Sequence, residues 1–526
     1  MSLSVREDRL VAVNRIGENT LQSVLQGTVE LPGDAPPVER VVWVKAVPRL
    51  ESTATDQDRV YIQGVIDLSL VYAPETLEGD VAGLRRVEWP GALPFDHYVD
   101  VIGAEPDMAA EAAAVVLVCE WDLRAGQYSL DVELILATTA RVFQKQEYTI
   151  ISDVNAAHPV RLTADGFVLR PISPSLSFGV NKDVSAILEL PEDAPSIKTI
   201  LDLTAKLNLT ENQVAEGAVS QQGRADLELL YEGEDFTVNR QTWVGILPFE
   251  INLEKGTIKP EMVLKPKLSP EIEGYAVNDG RGLRAELTVS GRLELEVPTA
   301  VQVLTDITAT GGDVEIRREL IGLESFVSEK EHQGLVRGLL EIDHQYPPIR
   351  ELLLCRGTAH WTDYEVDADR LDLEGVIDLE LLYLAHSEED IKPLYRAVFP
   401  EALSFQQTIV VPGLEPGMQP RIKLSVGQIQ PDLINRETVE VALMLQANVT
   451  VTEYLELEVA VEAVQVEPEE ENPPTLTYVF VQPGDTIWKL ARRYHTTEEK
   501  ILVYNPKLQD DPLLLRPGER LFIPRA

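Results

Sequence analysis

The chain has 526 residues, of which 44% are hydrophobic, and a chain of this length is predicted to form three or four domains with cores of their own. It carries 46 Lys and Arg residues against 87 Asp and Glu residues, a formal net charge of −41. An acidic excess of this size repels nucleic acid and anionic lipid surfaces, so the charge argues against both as partners.

The N-terminal segment and the apolar runs predict neither export nor membrane insertion. Residues 1–9 lack the apolar core of a secretory signal peptide, and the longest apolar stretch, near Ala112 to Cys119, is too short to span a bilayer. The two cysteines, Cys119 and Cys355, lie far apart in the chain. They are expected to be small buried hydrophobes rather than a disulfide framework.

A phrase of the form G-x-x-D-L-x-L-x-Y recurs three times, at 64–72, 223–231 and 375–383. Its glycines are 159 and 152 residues apart, which is domain size and too long for a solenoid or propeller unit. Each copy is preceded by a proline and followed by an aromatic pair: Pro36 with Trp89 and Phe95, Pro195 with Trp243 and Phe249, and Pro347 with Phe399 and Phe405. The body is therefore predicted to be three tandem domains, at 9–160, 161–318 and 319–466.

Each copy is predicted to be mostly β. Polar and apolar residues alternate at 226–229, 292–297 and 455–459, which is typical of strands with one buried and one solvated face. A short helix is expected only near Met108 to Ala114. The predicted fold class is mainly β, with three tandem antiparallel β-sandwich-like domains followed by a small βααβ domain.

The repeated phrase offers two sets of shared residues. Gly64, Gly223 and Gly375 are predicted to mark a bulge or a close backbone approach at a strand start. The aspartates of the phrase have two interpretations: a shared polar contact, or a solvated strand face, which the alternation favours. These aspartates are Asp67, Asp226 and Asp378.

Residues that could support catalysis do not fall into a known arrangement. None of the seven histidines has the H-E-x-x-H spacing, and Cys355 with His360 alone makes no zinc site. An acidic run at 363–369 lacks the glycine and the terminal Glu of an EF-hand loop, and is predicted to be a hairpin tip. The chain is predicted to be non-enzymatic, with no cofactor and no metal site.

The C-terminal residues differ from the body in charge and in pattern. An acidic, proline-rich linker is predicted at 467–475. Residues 475–526 hold 8 basic and 6 acidic residues, a balance of +2, which leaves −43 for the rest. Tyr478 to Val481 is predicted to be a strand, Asp485 to cap a helix through Tyr494, and Thr496 with Glu499 to form the capping box of a second helix. A closing strand is predicted at 521–523.

The whole stretch 476–526 resembles a LysM domain, from its V-x-P-G-D-T-I-W-x-L-A start to its P-G-x-x-L-x-I-P end. The resemblance implies a module that binds N-acetylglucosamine glycans such as peptidoglycan, or in some members a protein, without catalysis. It implies a ligand groove between two loops. The groove residues carried over from the family are Gly484, Asp485, Thr486, Ile487, Asn505, Pro506, Leu513 and Leu514.

The repeated phrase, in domains of this length ahead of a LysM module, resembles the SPOCS domain proteins of endospore-forming bacteria, and the layout is similar to SipL-like spore coat morphogenetic proteins. This resemblance implies a scaffold made in the mother-cell cytoplasm and located at the forespore surface. Its partners would be the basement-layer ATPase of the coat or other coat proteins. A peptidoglycan-binding protein of the spore cortex or cell wall is the second hypothesis, and a wall-remodelling hydrolase without a visible catalytic constellation is the third.

Overall fold

The computed structural model describes residues 3–75, 83–156, 161–172, 175–297, 300–310, 313–344, 346–386, 393–466, 476–508 and 515–524. Within these ranges the chain forms antiparallel sheets, with two short helices near the C-terminus. The predicted mainly β fold class is confirmed. The predicted linker at 467–475 lies outside the described residues.

The first unit is a six-stranded sandwich. Its two sheets have the orders β2-β3-β4 and β1-β6-β5, all antiparallel. The strands are β1 (Leu3–Glu30), β2 (Val38–Asp56), β3 (Arg59–Pro74), β4 (Arg85–Asp100), β5 (Ala109–Leu123) and β6 (Ser129–Ala156).

The second unit repeats this plan, but the strands that correspond to β1 and β6 are each divided in two. Its sheets have the orders β9-β10-β11, β8-β13-β12 and β7-β14. The strands are β7 (Arg161–Leu169), β8 (Leu176–Glu189), β9 (Ile197–Ala215), β10 (Ala218–Gly233), β11 (Val238–Glu254), β12 (Val263–Asn278), β13 (Gly282–Glu296) and β14 (Val301–Thr310).

The third unit returns to six strands, in sheets of order β16-β17-β18 and β15-β20-β19. The strands are β15 (Asp313–Glu341), β16 (Ile349–Asp367), β17 (Arg370–Ala385), β18 (Leu394–Val410), β19 (Arg421–Asn435) and β20 (Thr438–Val466).

Each sandwich is closed by the inward positions of its strands. In β3, Ile66, Leu68 and Leu70 are buried and alternate with partly exposed residues, as the period of two requires. Burying such a side chain contributes about 1.5–3 kcal/mol, so the alternating positions of six strands supply most of the drive for closure. Cys119 and Cys355 are free thiols that pack against the first and third cores. Burial raises the pKa of the Cys119 thiol to about 11 and that of Cys355 to about 12.

The alanine-rich segment after Met108 is a strand, and the predicted helix there is wrong. Residues Ala109 to Val115 alternate between exposed and half-buried positions within β5. Alanine favours a helix when no packing intervenes. Here Ala110, Ala112 and Ala114 pack against the first core from an extended chain, so tertiary packing overrides the local preference.

The tyrosines of the repeated phrase close the same loop in all three units. Each is fully buried in its core, and its hydroxyl donates to the carbonyl of the proline that lies two residues before β2, β9 or β16. The distances are 3.0 Å from Tyr72 to Pro36, 3.2 Å from Tyr231 to Pro195 and 3.0 Å from Tyr383 to Pro347. The repeated proline and the repeated tyrosine are thus hydrogen-bonded partners in every unit.

The glycines of the phrase lie within strands rather than at their starts, where a ring and a backbone carbonyl come close. A Cβ on Gly64 would lie 2.5 Å from the Phe95 ring and 2.6 Å from the Arg49 carbonyl oxygen. Gly223 and Gly375 have the matching phenylalanine neighbours, Phe249 and Phe405. The predicted close approach is confirmed. Any larger residue must displace the ring or the backbone.

The aspartates of the phrase lie half-buried on the outer strand face and also make a shared polar contact, so both interpretations hold. In each unit the carboxylate accepts from a backbone N–H at a bulge in the next strand. The donors are Gly91 at 2.6 Å, Gly245 at 2.6 Å and Glu401 at 2.7 Å, all at positive φ. The aspartate satisfies a donor that the bulge leaves without a strand partner.

Equivalent residues of the three units meet in one apolar cluster, which we call the axial cluster. It joins three sheets through sets of matching positions: Val42, Leu201 and Leu353; Val71, Leu230 and Leu382; and Leu84, Val238 and Leu394. Three matching contributions to one core are expected when three copies surround a common axis. The units therefore form a single body rather than beads on a string.

The first and last strands of each unit form a second junction, which we call the ribbon cluster. They extend beyond their sandwiches, and buried residues from all three units pack together there: Leu10 and Ile150, Leu169 and Val303, and Ile321 and Val459. The backbone joins them as well, because Val13 donates to the carbonyl of Ile172, and Ile172 donates to that of Glu324. The three units are therefore joined at two different places, the axial cluster and the ribbon cluster.

The second unit adds a buried acid to the axis. Asp202 lies where the first unit has Trp43 and the third has Leu354, and it is 7% exposed. Its carboxylate lies 3.4 Å from Lys45 of the first unit and 2.9 Å from Arg356 of the third. Burial alone would raise the pKa of Asp202, but these two cations lower it below its usual value. One carboxylate therefore links all three units.

The C-terminal module consists of β21 (Leu476–Phe480), α1 (Ile487–Arg493), α2 (Glu498–Tyr504), a short 3-10 helix (Pro506–Leu508) and β22 (Arg520–Pro524). It has a core of its own that includes Ile487, Leu490, Ile501 and Ile523. The predicted order of strand, helix, helix, strand is confirmed.

Both helix caps lie one residue later than predicted. Thr486 rather than Asp485 caps α1, with its hydroxyl accepting from Lys489 N at 3.1 Å. Thr497 rather than Thr496 caps α2, accepting from Lys500 N at 3.2 Å. Thr496 instead is buried and donates its N–H to the Ala491 carbonyl at the end of α1. Thr496 therefore belongs to the Schellman-type end of α1, and the N-cap of α2 is the next residue, Thr497.

Candidate ligand-binding site in the C-terminal module

The first wall of the predicted groove is the turn between β21 and α1. Gly484 has a φ of +87° and open space where a Cβ would be. The turn is closed by Asp485, whose backbone N–H donates to Gln482 O at 3.0 Å and whose carboxylate accepts from Gln482 N at 2.8 Å. The predicted site residues of this wall are therefore adjacent, but the backbone N–H and the carboxylate of Asp485 already form hydrogen bonds within the turn.

The side chains of this wall have structural partners. The Asp485 carboxylate is 6% exposed and lies 3.4 Å from Arg493 on α1. Ile487 is 6% exposed and packs in the core of the module, and Thr486 caps α1. Backbone groups and the open space at Gly484 are what this wall offers a ligand.

A lysine that the sequence analysis did not single out covers the turn. Lys489 Nζ donates to the Gly484 carbonyl at 3.0 Å, so one acceptor of the wall already has a partner. The position of Lys489 could have been predicted from the N-cap of α1, because the third residue after an N-cap lies over the turn that precedes the helix. A ligand that accepts from Lys489 must compete with Gly484 O.

Asn505 holds the second loop in place. It is 8% exposed, and its amide donates to Ile501 O at 2.7 Å and Phe522 O at 2.6 Å, while its carbonyl accepts from Phe522 N at 2.9 Å. The two hydrogen bonds with Phe522 tie the end of α2 to β22, and the bond to Ile501 O holds the Asn505 side chain against α2. Pro506 follows and begins the 3-10 helix. The last two predicted groove residues, Leu513 and Leu514, lie outside the described residues.

An exposed aromatic face lies on the sheet of this module. Tyr478 is 50% and Phe480 61% exposed. The Tyr478 ring lies 4.6 Å from that of Phe522, and the Arg520 guanidinium lies 3.8 Å above Tyr478. Alternation in Tyr478-Val479-Phe480 and Leu521-Phe522-Ile523 is the signal that could have shown it, since Val479 and Ile523 face the core.

The module also touches the body. Arg492 on α1 pairs with Asp306 of β14, which Arg318 of β15 also contacts at 2.8 Å. Asp306 thus lies between a cation of the module and a cation of the third unit. The contact places α1, the helix that follows the groove turn, beside β14 and β15 of the body.

Comparison with known families decides what these parts are. The family described as "LysM domain" matches residues 480–524, and the family described as "SipL, SPOCS domain" matches residues 37–123 and 348–434. This chain carries SPOCS domains and a LysM domain. The two SPOCS matches begin just before β2 and β16 and reach into β5 and β19. No curated protein and no solved structure matches the chain.

These families set the coarse function. A LysM domain indicates glycan or peptidoglycan binding, and SPOCS domains indicate a sporulation-related protein; both are binding or structural types rather than enzymatic ones. The described residues contain no group of three or more His, Cys, Asp or Glu side chains placed to hold a metal ion. Among the helices that the structure describes, none is long and apolar enough to cross a membrane.

Proposed function

We propose that the protein is a non-enzymatic scaffold of the endospore coat, tethered through its LysM domain to the basement layer of the coat in the mother cell. The observation that carries the proposal is two SPOCS domains and a LysM domain in one chain. Residues 9–160, 161–318 and 319–466 act as three domains of a single rigid scaffold, joined by residues 467–475 to the tether at 476–526.

The construction of the body supports a scaffold. The axial and ribbon clusters bury apolar residues of all three units at two levels, so the relative positions of the sandwiches are fixed. Domains that share cores of this kind do not hinge independently. A rigid body suits a protein that spaces its partners.

The LysM groove supports binding of an acetamido group or a peptide backbone. Its described wall offers backbone polar groups and the open space at Gly484, while Thr486, Ile487 and Asn505 set its shape. The proposed groove also includes four further residues: Asp485, Pro506, Leu513 and Leu514. The ligand is the basement-layer ATPase of the coat.

Binding of peptidoglycan is the second candidate, because the LysM family match itself favours it. In that case the protein binds the N-acetylglucosamine polymer of the spore cortex or cell wall, and the body is displayed from the glycan.

The test compares the full chain with a chain that ends at residue 466. Both are assayed for saturable binding to the purified basement-layer ATPase and for pelleting with purified peptidoglycan. The scaffold proposal expects ATPase binding that the shortened chain loses, and coat attachment around the forespore that fails with the same truncation. Pelleting with peptidoglycan and no ATPase binding would replace it with the second candidate.

A further inference from the structure

Three equivalent edge strands of the body carry a group of cations. The strands β5, β12 and β19 occupy the same edge in the three units, and each pairs with the strand that follows it in the chain. Two outward positions on each edge strand match in register, because they lie opposite the tenth and twelfth residues after the start of β6, β13 or β20. The matched residues are Glu111 and Ala113, Lys265 and Lys267, and Arg421 and Lys423. Four of the six are cations, although the chain has a net charge of −41.

Side chains of all three units meet at these edge strands, in what we call the charged cluster. Lys267 Nζ of the second unit lies 2.9 Å from the Glu111 carboxylate of the first. Lys265 Nζ of the second unit lies 4.0 Å from Glu329 of the third. Arg421 of the third unit lies near enough to Arg141 of the first for the charge of Arg141 to affect its pKa. The charged cluster is therefore a place where ligand groups could come from more than one unit.

The acids of the charged cluster already have cations beside them. Each lies within 4.0 Å of Arg15, Arg141, Lys265 or Lys267. These acids are Glu18, Glu111, Glu294, Glu296, Glu324 and Glu329. Six acids and six cations make the charged cluster neutral as a whole, but its pairing is uneven. Among the residues that the structure describes, no ion pair or hydrogen bond reaches the side chain of Arg421 or Lys423.

The environment of Arg421 disfavours its charge. The side chain is partly buried, and burial lowers the pKa of its guanidinium. The like charges of Arg141 and Arg15 lower this pKa further, and the acids Glu18 and Glu111 do not restore it. A partly buried cation without a counter-ion lowers the stability of the fold.

Lys423 is in the same position beside Arg421. Burial is the largest cause that lowers its pKa, followed by the charges of Lys267 and Arg421. On its own sheet, Thr450 and Asn448 separate the two cations from Glu329 and Glu331, so these acids are two strands away, about 10 Å.

The fold does not require two unpaired cations here. The first unit has Glu111 and Ala113 at the matched positions, and acids compensate both lysines of the second unit. Partly buried cations that folding does not need, with pKa values lowered by like charges, are typical of a binding site for an anion.

We propose that the charged cluster binds a small multivalent oxyanion of the phosphate class, held by Arg421 and Lys423 of the third unit together with Arg141 of the first. A guanidinium offers paired N–H donors to two oxygens of such an ion, and an ammonium adds a point charge. The bound ion supplies the counter-charge that Arg421 and Lys423 lack. Because its donors come from two units, it also joins the first unit to the third.

The charge of the whole chain selects a small ion over a polymer. A net charge of −41 repels a polyanion such as nucleic acid, which must lie along a large part of the surface. A small ion meets only the local charges, because the Debye length at 0.15 M salt is about 8 Å.

The test is isothermal titration of the full chain with inorganic phosphate, in chloride buffer at constant ionic strength. The wild type is expected to bind one phosphate saturably at millimolar concentrations or below. Sulfate should compete with it, because it presents the same tetrahedral set of oxygens, whereas additional chloride at the same ionic strength should not.

Two substitutions remove the unpaired cations. Arg421→Gln and Lys423→Ala, the second of which introduces the residue that the first unit has at Ala113, should each raise the Kd for phosphate about tenfold or more. In chloride alone neither should lower the Tm, because each removes a cation that has no partner. Phosphate should raise the Tm of the wild type and not that of the variants, which separates loss of binding from unfolding.

Arg337→Gln is the matched control, since Arg337 is an exposed cation on the same sheet face, eight residues along β15 from Glu329. It should bind phosphate as the wild type does. A wild type that binds no phosphate overturns the proposal. So do unchanged affinities in Arg421→Gln and Lys423→Ala, which would place the ion elsewhere, or an equal loss in Arg337→Gln, which would indicate a general effect of surface charge. None of these outcomes depends on what the LysM domain binds.

Discussion

The second unit differs from the first and third at the surfaces that meet other parts of the molecule. All three share the tyrosine–proline contact, the glycine under a phenylalanine and the aspartate at a bulge. At the axis, the second unit has Asp202 in place of Trp43 and Leu354, and Glu232 in place of Ala73 and Leu384. On the outer face of a sheet it has the hydrogen-bonded pair Asp183 and Thr288 where the first unit has Val24 and Ile135.

This difference separates two roles of the sequence. The shared phrase builds the sandwich, so it persists even in the unit that the SPOCS family does not match. The unshared positions decide how the units contact each other. Glu232 illustrates this, because its carboxylate accepts from the N–H of Leu84 in the first unit and lies 3.3 Å from Lys198. A buried acid on one unit alone gives three similar sandwiches a defined order around the axis.

The largest expected effect comes from removing the acid that the other units lack. Asp202→Ala should lower the free energy of unfolding by about 3 kcal/mol, at the low end for a broken buried ion pair because Lys45 and Arg356 remain partly hydrated. Calorimetry measures it. Glu261→Ala, at an exposed acid of the same unit, is the control and should change little. Equal effects of the two substitutions would mean that Asp202 does not link the units.

The glycine positions should respond in an order set by backbone distance. A Cβ on Gly64 would lie 2.6 Å from a carbonyl oxygen, and one on Gly223 would lie 3.0 Å from the matching Asn208 oxygen. Gly64→Ala is expected to cost about 2 kcal/mol, within the range for overpacking, and Gly223→Ala less, because a ring can move more easily than a strand. Unfolding midpoints of the two variants decide this, and the reverse order would contradict it.

The tryptophans should show a smaller difference. The Trp89 indole donates to Glu30 O at 2.8 Å and that of Trp243 to Glu189 O at 3.3 Å, while the third unit has Phe399 at this position. Trp89→Phe should cost about 1 kcal/mol through the lost hydrogen bond, and Trp243→Phe less. Urea unfolding followed by circular dichroism gives both values. A larger cost for Trp243→Phe would show that packing rather than the indole N–H dominates.

The smallest effect concerns pH. The lowered pKa of Asp202 means that its contribution to stability is present above the unfolded value of about 3.9 and is lost as the pH falls through the folded pKa. The difference in Tm between the wild type and Asp202→Ala should therefore shrink as the pH is lowered from 7 towards 3. A constant difference over this range would contradict an ionic role for Asp202.

Much of the fold could be predicted from the sequence because its signals are local. Alternation predicted the strands, the repeated phrase predicted three copies, and the turn and cap residues predicted the elements of the LysM domain. The errors have local causes too. The alanine run after Met108 has helical propensity, and Thr496 and Thr497 are both cap residues, so one-dimensional patterns could not choose between them.

The candidate site was predicted less completely. The residues of the groove turn were named from the resemblance, but the occupation of Asp485 by Arg493 and Gln482, and of the Gly484 carbonyl by Lys489, depends on how α1 leaves the turn. The aromatic face at Tyr478 was missed. Its alternation was visible in the sequence, but only the pairing of β21 with β22 places Phe522 beside it.

The sequence by itself determined the strand period, the repeated core contacts and the LysM domain, because each depends on residues close together in the chain or on a spacing repeated within one unit. Only the tertiary structure decided that three sandwiches share an axial cluster, that Asp202 lies between Lys45 and Arg356, and that Val24 lies beside Ile135. The physical reason is that these contacts join residues of separate units or strands. Their energies depend on distance and burial in space, which no local pattern encodes.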